Sequence, residues 1–238
     1  PWLNLGYSHT DSPLGRAAAL LGVYGISWLS ILSSGLLLLS LRQRAWRVAS
    51  ASGLLILWIA VFLFGKVAWT EAIDKPVTVS IIQGNIPQQT KWDPQTFKIR
   101  LDTYAKLTRE HWDSDLIFWP ENSVSVFYQD IKESYFKALE EEARKTNTEL
   151  VVGIPFLDAQ NRKYYSSLVS IGKTPGVYHK RHLVPFGEYV PLGFLIRGLV
   201  KFFDLPMSSF SPGERQQKLL QAAGQPMAPS ICYEDAFG

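Results

Sequence analysis

The chain has 238 residues, a formal net charge of +3 at pH 7 and one cysteine. Its 24 lysines and arginines are dispersed without a long basic run, which argues against a nucleic-acid-binding surface. One cysteine excludes an internal disulfide. The length exceeds the common single-domain size and the apolar residues are unevenly distributed, so we expect two regions.

Two long segments without charged residues dominate the first third of the chain. Residues 17–41 and 48–65 are uncharged, and each is long enough for a helix that crosses the roughly 30 Å hydrocarbon core of a bilayer. The second predicted span extends to Trp69 because Lys66 can reach the interface through its long side chain, so it covers residues 48–69. A buried helical hairpin of a soluble protein is the alternative. It is less favoured, because two such segments in succession are rare outside membranes.

The short connection between these segments carries Arg42, Arg44 and Arg47. By the positive-inside rule this connection faces the cytoplasm, so the chain that follows the second span lies outside the cytoplasm. The sequence therefore predicts a membrane region over residues 1–72 and a catalytic domain over residues 73–238.

Strand-like and helix-like patterns alternate in the second region. An amphipathic helical pattern follows each of the first two predicted strands. This alternation predicts an α/β fold with helices packed on a sheet. The predicted strands are residues 77–82, 115–119, 150–154, 165–171 and 177–179, and the predicted helices are residues 93–112 and 131–145.

The segment from residue 183 to residue 210 is rich in proline, glycine and phenylalanine. One interpretation is a long loop that covers the edge of the sheet. The favoured hypothesis is an arm whose apolar side chains lie in the membrane interface while Arg197 and Lys201 stay near the headgroups.

Three residues with complementary chemistry follow strand-like segments. Glu121 and Lys180 come soon after two of the predicted strands, and Cys232 ends residues 229–232, which are interpreted as a short buried strand. A cysteine with the reference pKa of about 8.5 is mostly protonated at pH 7, so it needs a base or a nearby cation to act as a nucleophile. Glu121 can accept the thiol proton, and Lys180 can stabilise the thiolate and an oxyanion together with the backbone N–H of Tyr233. This combination suits acyl transfer through a thioester.

Each of these residues has a simpler interpretation when it is taken alone. A lone cysteine is most often a small hydrophobic residue, and Glu121 fits a surface turn. His179 and His182 suggest a metal pair, but a structural role is favoured because no cysteine or aspartate completes the set. We expect no metal and no cofactor.

Longer motifs carry a family resemblance. Residues Trp119–Glu121, Lys180–Glu188 and Ile231–Glu234 resemble the Glu-Lys-Cys signatures of the nitrilase, or carbon-nitrogen hydrolase, superfamily. The whole chain is similar, more closely, to the apolipoprotein N-acyltransferase family within that superfamily. The segments that carry this closer similarity are Gly6–Ser8, Gln83–Gln88, Lys91–Asp93, His182–Glu188 and Phe203–Phe210.

The resemblance implies an enzyme that takes a fatty acyl chain from a phospholipid onto Cys232 and releases the lysophospholipid. The acyl group then passes to the N-terminal amine of a diacylglyceryl-cysteine apolipoprotein. The resemblance also implies that Glu121 is the general base, that Lys180 stabilises the anionic intermediate and that Glu188 is a supporting carboxylate. The residues implied to lie around the substrate pocket are Trp92, Tyr233 and Glu234.

The same resemblance implies a nitrilase-like αββα sandwich preceded by two transmembrane helices. It places the protein in a bacterial inner membrane as a multi-pass protein, with the catalytic domain on the periplasmic side. The chain begins at Pro1 without an initiator methionine and ends soon after Cys232, so we expect a fragment whose sandwich is incomplete in its C-terminal part.

Two other functions compete with N-acyl transfer. A membrane-tethered amidase or nitrilase would let water resolve the thioester and would hydrolyse a carbon-nitrogen bond. A membrane scaffold would bind lipoproteins without catalysis, although the presence of all three reactive residues makes this function less favoured.

Overall fold

The computed structural model describes residues 3–72, 76–87, 94–191 and 209–237. These residues fall into two compact units, one up to residue 72 and one from residue 76 onward. Most of the predicted arm, at residues 192–208, and the predicted pocket residue Trp92 lie outside the described residues.

Two long helices form most of the first unit. Helix α1 spans Ala18–Arg42 and helix α2 spans Arg47–Phe64, with a short 3-10 turn at Arg44–Trp46 between them. Both helical segments are long and apolar enough to cross a membrane, and only 17% and 11% of their apolar windows are buried. The core helix of a soluble protein would be mostly buried, so the exposure of these apolar surfaces favours the predicted spans over a buried hairpin.

Helix α2 is shorter than the predicted span over residues 48–69. It ends at Phe64, and the backbone N–H of Gly65 bonds the carbonyl of Val61 to close the last turn. Gly65 also lies against Arg16, because a Cβ atom at this glycine would be 2.3 Å from Arg16 Cδ. The close approach explains why glycine suits the end of this helix.

Two 3-10 turns, Leu5–His9 and Pro13–Ala17, precede α1 in the chain. The backbone N–H of Gly6 donates a 2.8 Å hydrogen bond to Ser27 Oγ and holds the first turn against α1. The first unit therefore has a small core of its own, formed by Leu14, Ala17, Ile26, Leu29 and Val61.

A mixed five-stranded sheet lies at the centre of the second unit. Its strands stand in chain order, with β1, β2 and β3 parallel and β3, β4 and β5 antiparallel. The strands are β1 Val79–Ile81, β2 Leu116–Phe118, β3 Glu149–Asp158, β4 Lys163–Ile171 and β5 Gly176–His179. Because β1 and β2 are parallel, the loops at their carboxyl ends leave the same edge of the sheet.

Helices pack on one face of this sheet and confirm the predicted α/β class. Helix α3 spans Phe97–Arg109, and a second helical segment consists of α4 Tyr128–Ile131, a π-helical turn Lys132–Phe136 and α5 Lys137–Thr146. Strand β3 is buried on both faces, which explains its continuous apolar sequence. The core under the helices includes Leu101, Tyr104, Ile117, Trp119, Phe136, Leu139, Leu150, Val152 and Ile154.

A two-stranded hairpin packs against the other face of the sheet. It consists of β6 Leu220–Ala222 and β7 Gln225–Met227, and both turn residues, Ala223 and Gly224, have positive φ angles. This hairpin is not predicted from the sequence, because Ala-Gly is a weaker turn signal than Asn-Gly. The buried cluster on this face includes Val151, Leu168, Tyr178, Leu220 and Ile231.

The predicted strand at residues 229–232 is not a strand in the structure. Ile231 is extended, but its backbone N–H donates to Glu234 Oε2 at 3.0 Å instead of to a neighbouring strand. A 3-10 helix, Cys232–Ala236, begins at the next residue. The thiol therefore stands at the start of a helical turn.

Candidate active site

Glu121 stands at the carboxyl end of β2, in a loop that is tightly packed against β3. The preceding Trp119 is almost fully buried, and its indole N–H donates a 2.8 Å hydrogen bond to Thr108 Oγ1. Gly153 of β3 faces this loop, and a Cβ atom there would lie 2.3 Å from the carbonyl oxygen of Pro120 and 2.7 Å from Glu121 Cα. Only glycine leaves room for the loop that carries the carboxylate.

Lys180 follows β5 directly and is 1% exposed. Its Nζ atom donates to Glu121 Oε1 at 3.0 Å and to Glu188 Oε1 at 2.8 Å. The backbone of Lys180 is also fixed by two hydrogen bonds of 2.8 Å. Its N–H donates to the carbonyl of Ser166, and its carbonyl accepts a hydrogen bond from the N–H of Gly213. The ammonium group therefore has a defined position between two carboxylates.

The charge state of Lys180 follows from these contacts. Burial by itself would lower the pKa of the ammonium, but the hydrogen bond to Glu188 and the negative charge of Glu121 outweigh burial. The pKa of Lys180 is raised as a result, so the side chain is a cation at neutral pH.

Cys232 has a left-handed backbone conformation, with φ 52°, and is exposed. A residue other than glycine in this region is strained by about 1–3 kcal/mol, and such strain is frequent at functional sites. The thiol lies close enough to the side chains of Glu121 and Lys180 and to the backbone N–H of Tyr233 for all three to act on its pKa. The structure therefore brings Cys232, Glu121 and Lys180 together, although it does not test their catalytic roles.

The thiol of Cys232 is held in its protonated form. Partial burial raises its pKa first, and the negative charge of Glu121 and the hydrogen bond to that carboxylate raise it further. The positive charge of Lys180 and the N–H of Tyr233 lower the pKa, but they do not outweigh the other causes. The resting site thus contains a thiol beside a carboxylate that can take its proton.

Glu234 is a buried carboxylate that joins the two segments of the site. Its Oε1 atom accepts hydrogen bonds from the backbone N–H groups of Arg181, at 2.7 Å, and His182, at 3.2 Å. Its Oε2 atom accepts the bond from Ile231, and the Tyr178 hydroxyl donates to both oxygens at 3.0 Å. Glu234 therefore fixes the cysteine segment against the lysine segment.

Glu188 and Tyr233 occupy different parts of the site. Glu188 bonds Lys180 through Oε1 and accepts the backbone N–H of Val184 through Oε2 at 2.7 Å, which closes the loop after Lys180. The Tyr233 ring packs edge-on against Phe237 with the ring centroids 5.1 Å apart. Glu188 thus lies next to the ammonium, whereas the tyrosine ring lines a separate apolar pocket of about 500 Å³.

His179 and His182 have separate aromatic partners. The Nδ1 atom of His179 lies 2.7 Å from Ser167 Oγ, and the ring stacks on Tyr165. The ring of His182 stacks on Phe237 with the centroids 4.3 Å apart. Both rings thus have structural contacts, and no cluster suitable for a metal ion is found in the described part of the chain.

A second cavity, of about 400 Å³, lies at the carboxyl ends of β1 and β2. Residues 81–86 form one part of its lining, residues 120–123 form another, and Tyr104 completes it. Glu121 belongs to this lining, so the cavity adjoins the carboxylate of the site.

Sequence reasoning missed two residues that position Glu121. Ser166 Oγ donates to Glu121 Oε1 at 3.3 Å, and Gly153 gives the loop its space. A glycine inside an otherwise apolar strand signals a close backbone approach, so Gly153 could have been found. A serine in a strand gives no comparable signal.

Comparison with protein families agrees with this architecture. Residues 78–238 match the model of the carbon-nitrogen hydrolase family, and residues 1–36 match the model of the apolipoprotein N-acyltransferase N-terminal domain. The chain therefore belongs to the carbon-nitrogen hydrolase family. This confirms the resemblance and the nitrilase-like fold that the motifs predicted.

Curated relatives are apolipoprotein N-acyltransferases. The protein of Methylococcus capsulatus is 44% identical over 100% of this chain, which covers 47% of that protein's length. The protein of Coxiella burnetii is 39% identical over 100% of this chain, which covers 49% of that protein's length. The chain spans about half the length of these relatives. A solved structure, the carbon-nitrogen hydrolase from Helicobacter pylori G27, is similar with a TM-score of 0.39 and 19% identity, over 63% of this chain and 49% of that chain.

Proposed function

We propose that this protein is an N-acyltransferase that carries a fatty acyl chain as a thioester on Cys232. The donor is a phospholipid, and the acceptor is the N-terminal amine of a diacylglyceryl-cysteine apolipoprotein. The observation that carries the proposal is the Lys180 ammonium, held by the carboxylates of Glu121 and Glu188 and close enough to Cys232 to act, with Glu121, on the pKa of its thiol. The name of the curated relatives, apolipoprotein N-acyltransferase, supports an apolipoprotein as the acceptor of an N-acyl group.

In the first half-reaction Glu121 takes the proton of Cys232 as the sulfur attacks the ester carbonyl of the phospholipid. The oxyanion that forms is stabilised by the Lys180 ammonium and the backbone N–H of Tyr233. The bond between the carbonyl carbon and the glycerol oxygen then breaks. Glu121 returns the proton to that oxygen, and the lysophospholipid leaves.

In the second half-reaction the free amine attacks the thioester carbonyl and the same groups stabilise the oxyanion. Glu121 takes a proton from the amine, the C–S bond breaks, and the proton returns to the sulfur. The products are an amide and the free Cys232 thiol. An amine must therefore reach the side of the site where Glu121 lies.

The remaining predicted site residues hold the reacting groups or the substrate in place. Glu188 holds the Lys180 ammonium through a second hydrogen bond, and Glu234 keeps the cysteine segment against the lysine segment. Tyr233 contributes its backbone N–H to the oxyanion, and we propose Trp92 as a further residue of the substrate pocket.

We propose that α1 and α2 cross a bacterial inner membrane. The exposed apolar surfaces of both helices support this placement. Arg42, Arg44 and Arg47 support a cytoplasmic connection by the positive-inside rule, and we therefore propose that the catalytic unit is periplasmic. A lipid donor and a lipid-anchored acceptor are both available on that side of the membrane.

An acyl-transfer assay tests the proposal. The full-length gene product is placed in phosphatidylethanolamine and phosphatidylglycerol vesicles that carry a labelled acyl chain, and the label on Cys232 is measured with and without hydroxylamine. A lipopeptide with an S-diacylglyceryl N-terminal cysteine is then added. We expect the label to move to the peptide amine faster than water releases it. Equal rates with and without the peptide would identify a hydrolase instead.

A further inference from the structure

Strand β5 lies at one edge of the five-stranded sheet and ends at His179, the residue directly before Lys180. Within the described part of the chain, this strand pairs with β4 alone. The outer side of an edge strand presents backbone N–H and C=O groups that need other partners. The position of the Lys180 backbone therefore depends on the contacts that cover this edge.

Gln217 covers the edge with its side-chain amide. Its Oε1 atom accepts a 2.8 Å hydrogen bond from the N–H of His179, and its Nε2 atom donates a 2.7 Å hydrogen bond to the carbonyl of the same residue. Nε2 also donates to the carbonyl of Glu214 at 3.1 Å, so both amide hydrogens have acceptors. The amide thus takes the place that a neighbouring strand would have beside His179.

Gly213 brings the backbone of the same segment against Lys180. Its N–H donates a 2.8 Å hydrogen bond to the Lys180 carbonyl. A Cβ atom at Gly213 would lie 2.3 Å from the carbonyl oxygen of His179 and 2.7 Å from Gln217 Nε2. Glycine permits this close approach, and two consecutive residues at the end of β5 are therefore held from outside the sheet.

We propose that Gln217 is a positioning residue for the Lys180 ammonium. The amide fixes the backbone of His179, and the Lys180 side chain that follows then donates to both Glu121 and Glu188. This inference rests on the proposed function and adds a residue that acts through another one. Because the ammonium stabilises the oxyanion of both half-reactions, its displacement should slow both of them.

Two substitutions separate the amide contacts from the shape of the side chain. Gln217→Met removes the hydrogen bonds to His179 and keeps an unbranched side chain of similar volume. Gln216→Met is the matched control, because Gln216 is the preceding residue, has the same side chain and is exposed.

The first measurement is the reactivity of Cys232, which depends on the position of the ammonium. Two charged groups act on the pKa of this thiol: Glu121 raises it and Lys180 lowers it. If the ammonium moves away in Gln217→Met, the pKa should rise. The pH at which iodoacetamide modifies Cys232 at half its maximal rate should therefore shift upward, as measured by peptide mass spectrometry. A loss of stability alone would not move this pH, and Gln216→Met should leave it unchanged.

The second measurement is the rate of each half-reaction of the full-length gene product in the labelled vesicles described above. We expect Gln217→Met to slow both thioester formation on Cys232 and transfer to the lipopeptide about tenfold at saturating substrate, because an oxyanion donor is displaced. The KM for the S-diacylglyceryl-cysteine lipopeptide should stay unchanged, since the ammonium acts on the transition state. Gln216→Met should match the wild type in all three quantities.

Three results would overturn the inference: wild-type rates in Gln217→Met, an unchanged or lower half-maximal pH in that variant, or an equal effect of Gln216→Met. Failure of the proposed function gives a different pattern, in which the wild-type protein forms no thioester from the phospholipid. Alkylation needs no acyl substrate, so the half-maximal pH then still decides whether Gln217 positions Lys180.

Discussion

The carboxylate of Glu234 accepts a 2.7 Å hydrogen bond from the backbone N–H of Arg181. This bond joins the residue after Lys180 to the helical turn that begins at Cys232. The two reactive side chains are far apart in sequence, so their distance depends on such a connection. A neutral amide cannot replace the carboxylate, since one of its two ends is a donor.

We therefore expect Glu234→Gln to impair the site without removing any reacting group. The side-chain NH₂ group would face at least one backbone N–H, so two donors would meet in a buried place, at a cost of about 1–3 kcal/mol. Acyl transfer should fall at least tenfold and the melting temperature should decrease. Glu214→Gln, at an exposed position, serves as the control and should change neither quantity.

Glu121 is expected to control the ionisation of Cys232. Because the negative charge of Glu121 raises the pKa of the thiol, Glu121→Gln should lower that pKa. In the wild type, the pH at which iodoacetamide modifies Cys232 at half its maximal rate should lie above that of a free cysteine. In Glu121→Gln this pH should shift downward. Peptide mass spectrometry across pH measures both values. An upward shift in Glu121→Gln would contradict the assignment of Glu121 as the neighbouring anion.

Lys180 is expected to tolerate no replacement. Lys180→Met leaves Glu121 and Glu188 facing each other without a cation, which costs about 3–5 kcal/mol of stability. Lys180→Arg keeps the charge, but a planar guanidinium does not fit a buried site shaped for an ammonium. Both variants should lose acyl transfer, and thermal denaturation should show a larger loss for methionine. A fully active arginine variant would show that the charge alone is sufficient.

Gly153→Ala is expected to displace the loop that carries Glu121. The new methyl group would overlap the carbonyl of Pro120, and the strain should cost about 1–3 kcal/mol. Thioester formation should slow more than stability alone explains, because the carboxylate moves away from the thiol. Gly187→Ala is the control, since a Cβ atom there has contacts of 3.5 Å or more and requires no movement.

The sheet and the convergence of three reactive residues were predictable from the sequence. Apolar segments bounded by turn residues located the strands, and Glu121 and Lys180 came soon after two of them. Strands that run in the same direction bring their carboxyl ends to one edge, which explains why Glu121 and Lys180 lie close together, whereas Cys232 follows no strand in the structure.

The supporting contacts were not predictable in the same way. The role of Glu234 depends on backbone N–H groups from two distant segments, and a sequence pattern does not report such bonds. Residues 229–232 looked like a strand because their apolar residues suggested burial, but Ile231 bonds its own segment instead of a neighbour. Local side-chain bonds of this kind compete with strand pairing.

The hairpin of β3 and β4 pairs nine residues, from Leu150 with Ile171 to Asp158 with Lys163. A shift of one residue would turn every side chain of one strand to the opposite face and would separate Gly153 and Ser166 from Glu121. The exposed turn at residues 159–162 lies beyond this ladder. During evolution, insertions should therefore accumulate in that turn, whereas a single inserted codon within either strand should eliminate acyl transfer.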